Sequence, residues 1–473
     1  MRTFQDFEKA SRAGDKEKFI SSAIAEHILS PVYQTARDAD LYDKQKNRTI
    51  NEYVRMLFTL TGTPVEDFTA SNNKIPSNFF HRLNTQRCVY SLGNGVSFTN
   101  TEERQNGDGT TTIVDTTKER LGPKFDSDLK DAGYKALIHG VTFCFWGEDR
   151  MYVFPVTQFV PLWDEKKGTL RAGIRFWRLA PDKPMVVVLY EEDGYTKYET
   201  GSDGDDVLRV VEDKKKYRTL YQTTDADDSE EVIGEENYSA LPIVPFWGSS
   251  LHQSTLVGMR EAIDSYDLIR SGFANDLSDC AQIYWIVKNY GGMNDADLSR
   301  FRDRLKTLHV AVVDSDDESS ITPYTQEIPY QARKQYLDDL RSGIYEDFGG
   351  LDVHAVAAGA TNDHIDAAYQ PLDEEADDFE YQVIECVQQI LALIGIEDTP
   401  VFKRNRISNQ REQTEMVLSA AQYLDETTIL NKLPFISPDE VQQILMRKDI
   451  EDKERMTSGT GMGTEDPFAN LEV

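Results

Sequence analysis

The order of hydrophobic periods along this chain places it among α+β proteins, and three observations carry that reading. Amphipathic runs at helical spacing extend from Met259 to near Asp279, from Ala332 to Phe348, and after Asp363 through Ile394. Between Val141 and Tyr221 the period shortens to β-branched and aromatic runs broken by Gly, Pro, Asp and Lys, which predicts an antiparallel meander. From Tyr330 to Ile396 a helix, a small-residue loop and a long second helix follow one another, and the rest of the chain is organised around them.

In chain order, Phe19, Ala23 and Ile28 form a helical stripe closed by Pro31, and Ile50, Tyr53, Val54 and Leu57 form a second closed by Gly62. Residues 72–98 begin with a turn, become an amphipathic helix through Phe79, Leu83 and Cys88, and end at Gly93 and Gly95 before a short strand. Asn-Gly and Asp-Gly pairs near 106–109 mark a polar loop. Residues 125–140 read as a helix with His139 at its end. In the meander, hairpin turns fall at 166–168 and at Asp193 and Gly194. The run DADDSEEVIGEEN, residues 225–237, reads as an exposed acidic loop. It does not match an EF-hand, because Glu230 stands at the sixth position, where that loop needs glycine. Pro242 and Pro245 predict an extended connector.

Met259, Ile263, Tyr266, Ile269 and Phe273 then predict a helix ending near Asp279. Strands at 282–288, 309–313 and 320–324 with a short helix at 295–305 make a small α/β insert. It returns into a helix whose apolar positions are Tyr336, Leu337, Leu340, Ile344 and Phe348. Gly349 and Gly350 stop that helix, and with Gly359 they provide the hinges of a loop of Val, Ala, Gly and Thr. After Asp363, Leu372, Ala376, Phe379, Val383, Val387, Ile390 and Ile394 recur at intervals of three or four. Pro371 lies inside this run and predicts a kink. The carboxylates Asp373, Glu374, Glu375, Asp377 and Asp378 then suit a helix restarting with acids at its positive end. About 30 residues at ~1.5 Å each make a rod on the order of 45 Å, the length of a strut in an assembly. Residues 399–407 look like a strand rejoining the earlier sheet, with Lys403, Arg404 and Arg406 paired to the acidic excess. Three short helices follow, the last opened by Ser437, Pro438, Asp439 and Glu440, and the glycine-rich tail from 456 reads as disordered.

A length of 473 residues suggests roughly three domains, and the formal charge of −31 argues against a protein that grips nucleic acid by neutralising phosphates. It leaves open a surface past which nucleic acid slides. Cys88, Cys144, Cys280 and Cys386 lack metal-site spacing and read as free buried thiols of a reducing compartment. No secretion signal or membrane span is expected. The P-loop, HExxH, GxSxG and GxGxxG patterns are absent, and the seven histidines are dispersed. The expectation is no enzyme, no cofactor and no metal site.

Several stretches, taken in order, resemble the portal proteins of tailed bacteriophages, of the type found in siphophages of Gram-positive hosts. They are NNKIPSNFFHRLNTQRCVYSLGNGVSF, FPVTQFVPLWDEKKGTLRAGIRFWR with EEDGYTKYE, LPIVPFWGSS, REAIDSYDLIRSGFANDLSDCAQIYWIVKNYGG, EIPYQARKQYLDDLRSGIYEDFGG and VFKRNRIS. They span residues 72 to about 410, and their order, more than any single motif, carries the likeness.

The resemblance implies a phage portal fold with an α/β wing (1–254, rejoined at 396–410), a two-helix stem (255–279 and 330–349) and a small α/β clip (280–329). It further implies a tunnel loop (350–363), a long kinked helix (364–395), a helical crown (411–455) and a disordered tail (456–473). It implies a ring of about twelve copies at one capsid vertex, the channel for DNA packaging and ejection. Leu351, Asp352, Val353, His354, Val356, Thr361, Asn362 and Asp363 would form the tunnel loop facing double-stranded DNA. Met259, Ile263, Tyr266, Phe273, Tyr336, Leu340 and Ile344 would pack between neighbouring stems. Implied partners are the terminase large subunit, a head-completion adaptor, and the major capsid and scaffolding proteins, with no membrane. The implied location is the virion, with assembly in the host cytoplasm. The other readings are a capsid or tail adaptor without a channel and an acidic metal-dependent nuclease.

Overall fold

The computed structural model describes residues 2–58, 62–68, 70–105, 111–201, 207–224, 229–279, 284–288, 320–324, 329–353, 362–406 and 410–433, with isolated positions at 296, 300 and between 441 and 448. The chain divides into two compact units, Met1–Gly350 with Glu374–Arg404, and Leu351–Asp373 with Asn405–Val473.

The first unit is built on two antiparallel sheets. Of the meander expected over 141–221, Phe159–Trp163, Leu170–Arg178, Met185–Glu191, Gly194–Thr200 and Leu208–Lys215 form one sheet with each strand paired with the next, while the runs before 159 and after 217 belong to other sheets. Its turns fall where the Lys-Lys-Gly and Asp-Gly pairs predicted them. Successive side chains of a strand point to opposite faces. Val160, Leu162, Ile174, Val187 and Leu189 therefore meet Phe7, Phe19, Ile20 and Ile24 of the helices Phe4–Ala13 and Lys16–Ile28. Phe159, Val188 and Tyr190 face the other way, into the main core. Burial on both faces explains why Met185–Glu191 reads as a continuous apolar run and not as an alternation.

The second sheet joins Met151–Pro155 to Val141–Trp146 and that strand to Ile243–Trp247. The segment expected as a connector is thus an edge strand. Pro245 sits opposite Phe143 without breaking the ladder, because an edge strand has one side on which no N–H is required. The acidic run is also no loop. Ser229–Glu236 pairs with Arg218–Thr224 in a two-stranded ribbon, leaving Val232 and Ile233 exposed, while 225–228 lie outside the described residues. The second N-terminal stripe forms helix only over Arg48–Glu52. Met56–Phe58 then pairs with Pro64–Glu66, and Tyr53 and Val54 are exposed. A further helix, Pro31–Asp43, starts at the proline read as a stop, since the first helical position needs no N–H partner.

The helices Phe79–Leu92 and Phe125–His139 form as expected and pack beneath the smaller sheet. Against them packs the part of the helix Asn362–Leu393 from Phe379 onward, and the whole helix is about 48 Å long at ~1.5 Å per residue. Its predicted stripe is inside: Leu372, Ala376, Phe379, Val383, Val387 and Ile390 are all buried. The helix is unbroken at Pro371, so the acids that follow it stand in mid-helix and not at a restarted N-terminus. Cys88, Cys144 and Cys386 are buried free thiols. Among the described residues no helix is long and apolar enough to cross a membrane.

Past the long helix the chain is pinned by Asp398. Its carboxylate accepts hydrogen bonds from Thr99 N–H (3.1 Å) and Oγ1 (2.6 Å), Asn100 N–H (3.1 Å), Thr117 Oγ1 (2.7 Å) and Thr399 N–H (2.8 Å). Val401–Phe402 then pairs with Val96–Ser97 and not with the meander. In the second unit Gln410–Ser419 and Glu426–Lys432 are helical, whereas the expected third helix start at 437–440 and the tail lie outside the described residues. The same holds for the insert's expected elements at 295–305 and 309–313, apart from two isolated positions. Tyr284–Lys288 and Ser320–Tyr324 form an antiparallel pair.

Burial tends to raise the Asp398 pKa, but the hydroxyl and amide donors outweigh it and hold the carboxyl well below the usual range. A depressed pKa contributes stability above the unfolded value, and that contribution is lost as pH falls through the folded one. Asp398→Ala is expected to lose about 1 kcal/mol at neutral pH, allowing for solvent screening. In urea unfolding the gap to the parent chain should close as pH drops below about 4.

Candidate functional site

Two helices, Arg260–Asp279 and Tyr330–Phe348, lead out to the insert and back. Their near ends are rooted in one cluster, where Leu256, Met259, Ile263, Ile344, Tyr345 and Phe348 meet Tyr42, Phe79, Phe80 and Leu83. Phe79 presents its ring edge-on to Tyr266 at 4.9 Å and to Tyr345 at 6.1 Å.

The buried stripe of the outgoing helix changes chemistry along its length. Met259 and Ile263 are followed at four-residue intervals by Asp267, Ser271 and Asn275, each at most 3% exposed. Their partner is backbone. Ser77 N–H donates to Asp267 Oδ1 (2.8 Å), Ile75 N–H to Ser271 Oγ (3.0 Å) and Asn73 N–H to Asn275 Oδ1 (2.5 Å). Four residues of helix rise about 6 Å and two residues of extended chain about 6.6 Å, so the two repeats stay in step for three rungs. Asn47 Nδ2 donates to the other oxygen of Asp267. Burial raises the Asp267 pKa, opposed by the Asn47 and Ser77 bonds. One turn earlier Asp264 accepts from Tyr42 (2.5 Å) and Thr49 (2.6 Å), and burial with that contact pushes the Tyr42 phenol up to about 12. The apolar periodicity pointed to Tyr266, Ile269 and Phe273 and missed this ladder. The visible signal was small polar residues at strict four-residue spacing on the same face as Met259 and Ile263.

Further out, Phe273 packs on Tyr330 at 5.7 Å, and Arg333 pairs with Asp276. Leu277 (55% exposed), Tyr330 (55%) and Tyr336 (48%) have no cover comparable to the cluster at the root. A cleft of about 620 Å³ runs alongside, lined by Ile50, Tyr53, Ile269, Ala332 and Tyr336. Of the residues expected between stems, Met259, Ile263 and Ile344 are turned into this chain's own core. Tyr266, Phe273 and Leu340 are half-buried, and Tyr336 is exposed.

The returning helix ends in a closed cap. Gly349 takes the left-handed conformation (φ 66°), its N–H donates to the Glu346 carbonyl (3.0 Å), and the Gly350 N–H donates to that of Tyr345 (2.8 Å). A Cβ on Gly350 would stand 2.5 Å from Leu83. The two glycines expected as hinges are thus a fastened and tightly packed end. Arg87 fixes that end further. Its Nη2 donates to the Phe348 carbonyl (2.5 Å), its plane lies over the Phe348 ring (4.2 Å), and its Nη1 is 3.0 Å from Glu375. Burial lowers its pKa, while Glu375 and Asp378 act against that. Of the expected loop, Leu351 is buried, Asp352 half-buried and Val353 exposed. His354, Val356, Gly359 and Thr361 lie outside the described residues. Asn362 and Asp363 already belong to the long helix.

Several acids of that helix have partners. Arg404 grips Glu380 through Nε (3.0 Å) and Nη2 (2.9 Å) and also pairs with Asp377, contacts that raise its pKa. Ser250 N–H donates to Asp378 (2.9 Å). In the second unit Arg406 joins Asp366 (3.1 Å) and Asp373. The expected pairing with the acidic excess is therefore found for Arg404 and Arg406, aimed at one helix, while Lys403 contributes only its backbone carbonyl, which accepts from Asn94 Nδ2. Among the described residues no three His, Cys, Asp or Glu side chains are grouped to hold a metal ion.

The described residues thus hold a root-anchored helix pair with a capped returning end and a long helix with one buried stripe. Residues 32–454 match the family described as "Phage portal protein, SPP1 Gp6-like", and the chain belongs to that family, a structural and non-enzymatic one found in the virion capsid. It is 23% identical to the portal protein of Clostridium phage phiCD119 over 396 residues, covering 79% of this chain and 83% of that one. It is 22% identical to the portal protein of Bacillus phage SPP1 over 451 residues, covering 89% and 84%. A chain from the neck of an empty GTA particle, computed with C6 symmetry, is similar at a TM-score of 0.42 and 9% identity, covering 74% of this chain and 88% of that one. The expected family and its α+β portal fold are both met.

Removing a rung of the ladder has a graded cost. Ser271→Ala should lose about 1 kcal/mol and Asp267→Ala about 2–3 kcal/mol, because the latter strands two buried donors. Urea unfolding of the variants checks the order, and equal small losses would contradict the ladder.

Proposed function

We propose that copies of this chain close into a ring of about twelve at one capsid vertex and that the ring is the channel for packaging and ejecting double-stranded DNA. The observation that carries this reading is the outer half of the helix pair. Leu277, Tyr330 and Tyr336 are exposed beside a cleft of about 620 Å³, and among the described residues no further element covers them. Apolar surface so arranged is covered by a neighbour, and identical neighbours around an axis cover it in every copy. Tyr336, Tyr266, Phe273 and Leu340 are the side chains of the expected set that can take part.

The helix pair is then the stem, 280–329 the clip, 351–361 the tunnel loop, 411–455 the crown, and the sheets with their helices the wing. A net charge of −31 per copy keeps DNA phosphates from sticking to the wall. Val, Ala, Gly and Thr in the loop make no base-specific contacts. Without a P-loop the chain takes its driving force from a separate motor, the terminase large subunit. The clip receives the head-completion adaptor, and the outer surface meets the major capsid and scaffolding proteins. Assembly takes place in the host cytoplasm.

Electron microscopy of the purified protein tests this. Top views should show rings with a central hole, and compact particles without a hole would favour a non-channel adaptor. Deleting 355–360 should leave the rings intact and reduce packaged DNA at least several-fold. Loss of rings in that deletion would contradict the assignment of the loop.

A further inference from the structure

One hairpin of this chain belongs to no larger sheet. Met56–Phe58 pairs with Pro64–Glu66, and the Asp67 N–H closes its base on the Arg55 carbonyl (2.9 Å). Two strands alone are marginal in water and need a surface to pack on. Among the described residues this hairpin has none: Tyr53, Val54, Met56 and Val65 are exposed, and Phe68 is 83% exposed. Glu66 is exposed as well, and its carboxylate has no ion-pair or hydrogen-bond partner among the described residues.

The helix pair beside the hairpin has two unlike sides. Phe273 on Tyr330 and Arg333 with Asp276 mark the seam between the helices. On one side of the seam, Ile269, Gly272, Ala332 and Tyr336 line the cleft together with Tyr53 and Arg55 at the hairpin's base. A helix turns about 100° per residue, so Arg270 and Leu277 share a face turned from the cleft, as do Tyr330 and Lys334. All four are exposed, and neither cation has a partner among the described residues. In a chain of net charge −31, free cations beside uncovered apolar side chains suit an apolar surface that carries acid. Hairpin and face stand at one level of the pair, since the cleft that holds Tyr53 also holds Asn275 and Asp276, next to Leu277.

A ring closed head to tail joins two unlike surfaces of identical copies. We propose that the hairpin of one copy packs on Leu277 and Tyr330 of the next, with Glu66 facing Arg270 and Lys334. This contact rests on the ring assignment and supplies the two surfaces that close the ring. A like-with-like contact is disfavoured, because it would set Glu66 against Glu66 and the cations against one another.

The test is cross-linking of the full chain in a Cys280→Ser background, where the other three cysteines are buried. A bifunctional maleimide is applied to Val65→Cys, to Leu277→Cys and to the double variant, and each is imaged by electron microscopy. The double variant should give a ladder of covalent oligomers on a denaturing gel, and each single variant only monomer. Rings in which the double variant stays monomeric would overturn this contact and leave the ring standing. Dimers from a single variant would overturn it too, because they report like surfaces meeting. Images without rings would overturn the ring assignment and this contact with it. None of the described side chains in 56–66 is buried, so replacing that stretch by a short Gly–Ser link should leave Tm unchanged. The concentration for half assembly in sedimentation velocity should then rise at least tenfold, and an unchanged value would overturn the contact.

Discussion

A guanidinium buried between three helices holds the end of the returning helix Tyr330–Phe348 in place. Arg87 lies on the helix Phe79–Leu92, donates to the last carbonyl of the returning helix, covers the Phe348 ring and pairs with Glu375 of the long helix. Taking such a charge out of water costs several kcal/mol, and although Nε has no hydrogen-bond partner, three contacts offset that cost. Here the helix terminus supplies partial negative charge, the ring its π-face, and Glu375 a full charge. The Gly349 and Gly350 cap closes on the same spot. The chain therefore leaves the returning helix at a fixed point.

The ladder along the outgoing helix does for the other strut what Arg87 does for this one. Apolar packing holds the root through Ile263, but beyond it the neighbour is an extended backbone whose N–H groups must be met. Asp267, Ser271 and Asn275 meet them at the pitch of the helix. Both struts are thus tied by directional bonds where the hydrophobic cluster ends, and the apolar side chains further out are left for other contacts. The long helix follows the same logic. Its acids would repel one another if unpaired, and Arg87, Arg404 and Arg406 each take one group of them.

Much of this was legible in residue order, because the signals were local. The helices Phe79–Leu92, Phe125–His139 and Tyr330–Phe348, the long helix and the meander all follow from periodicity within a few turns. What was not legible depends on distant partners. Asp267, Ser271 and Asn275 look like the wet face of an amphipathic helix until the segment from Asn73 to Ser77 is laid along them. Pro245 looks like a break until it is known to lie on an edge. Val232 and Ile233 sit in so acidic a run that the strand is hidden by its composition. Met259, Ile263 and Ile344 have the spacing of an interface, yet only the contacts with Phe79, Phe80 and Leu83 show that they are spent inside the chain.

The central claim is that Arg87 ties the end of the returning helix to the long helix. A double-mutant cycle of Arg87→Met and Glu375→Gln, read as unfolding free energy, tests it most directly. The account predicts that Arg87→Met alone costs about 3 kcal/mol and that the pair is coupled by about 1 kcal/mol, since Glu375 is partly open to solvent. Strictly additive losses, or an Arg87→Met chain as stable as the parent, would contradict it.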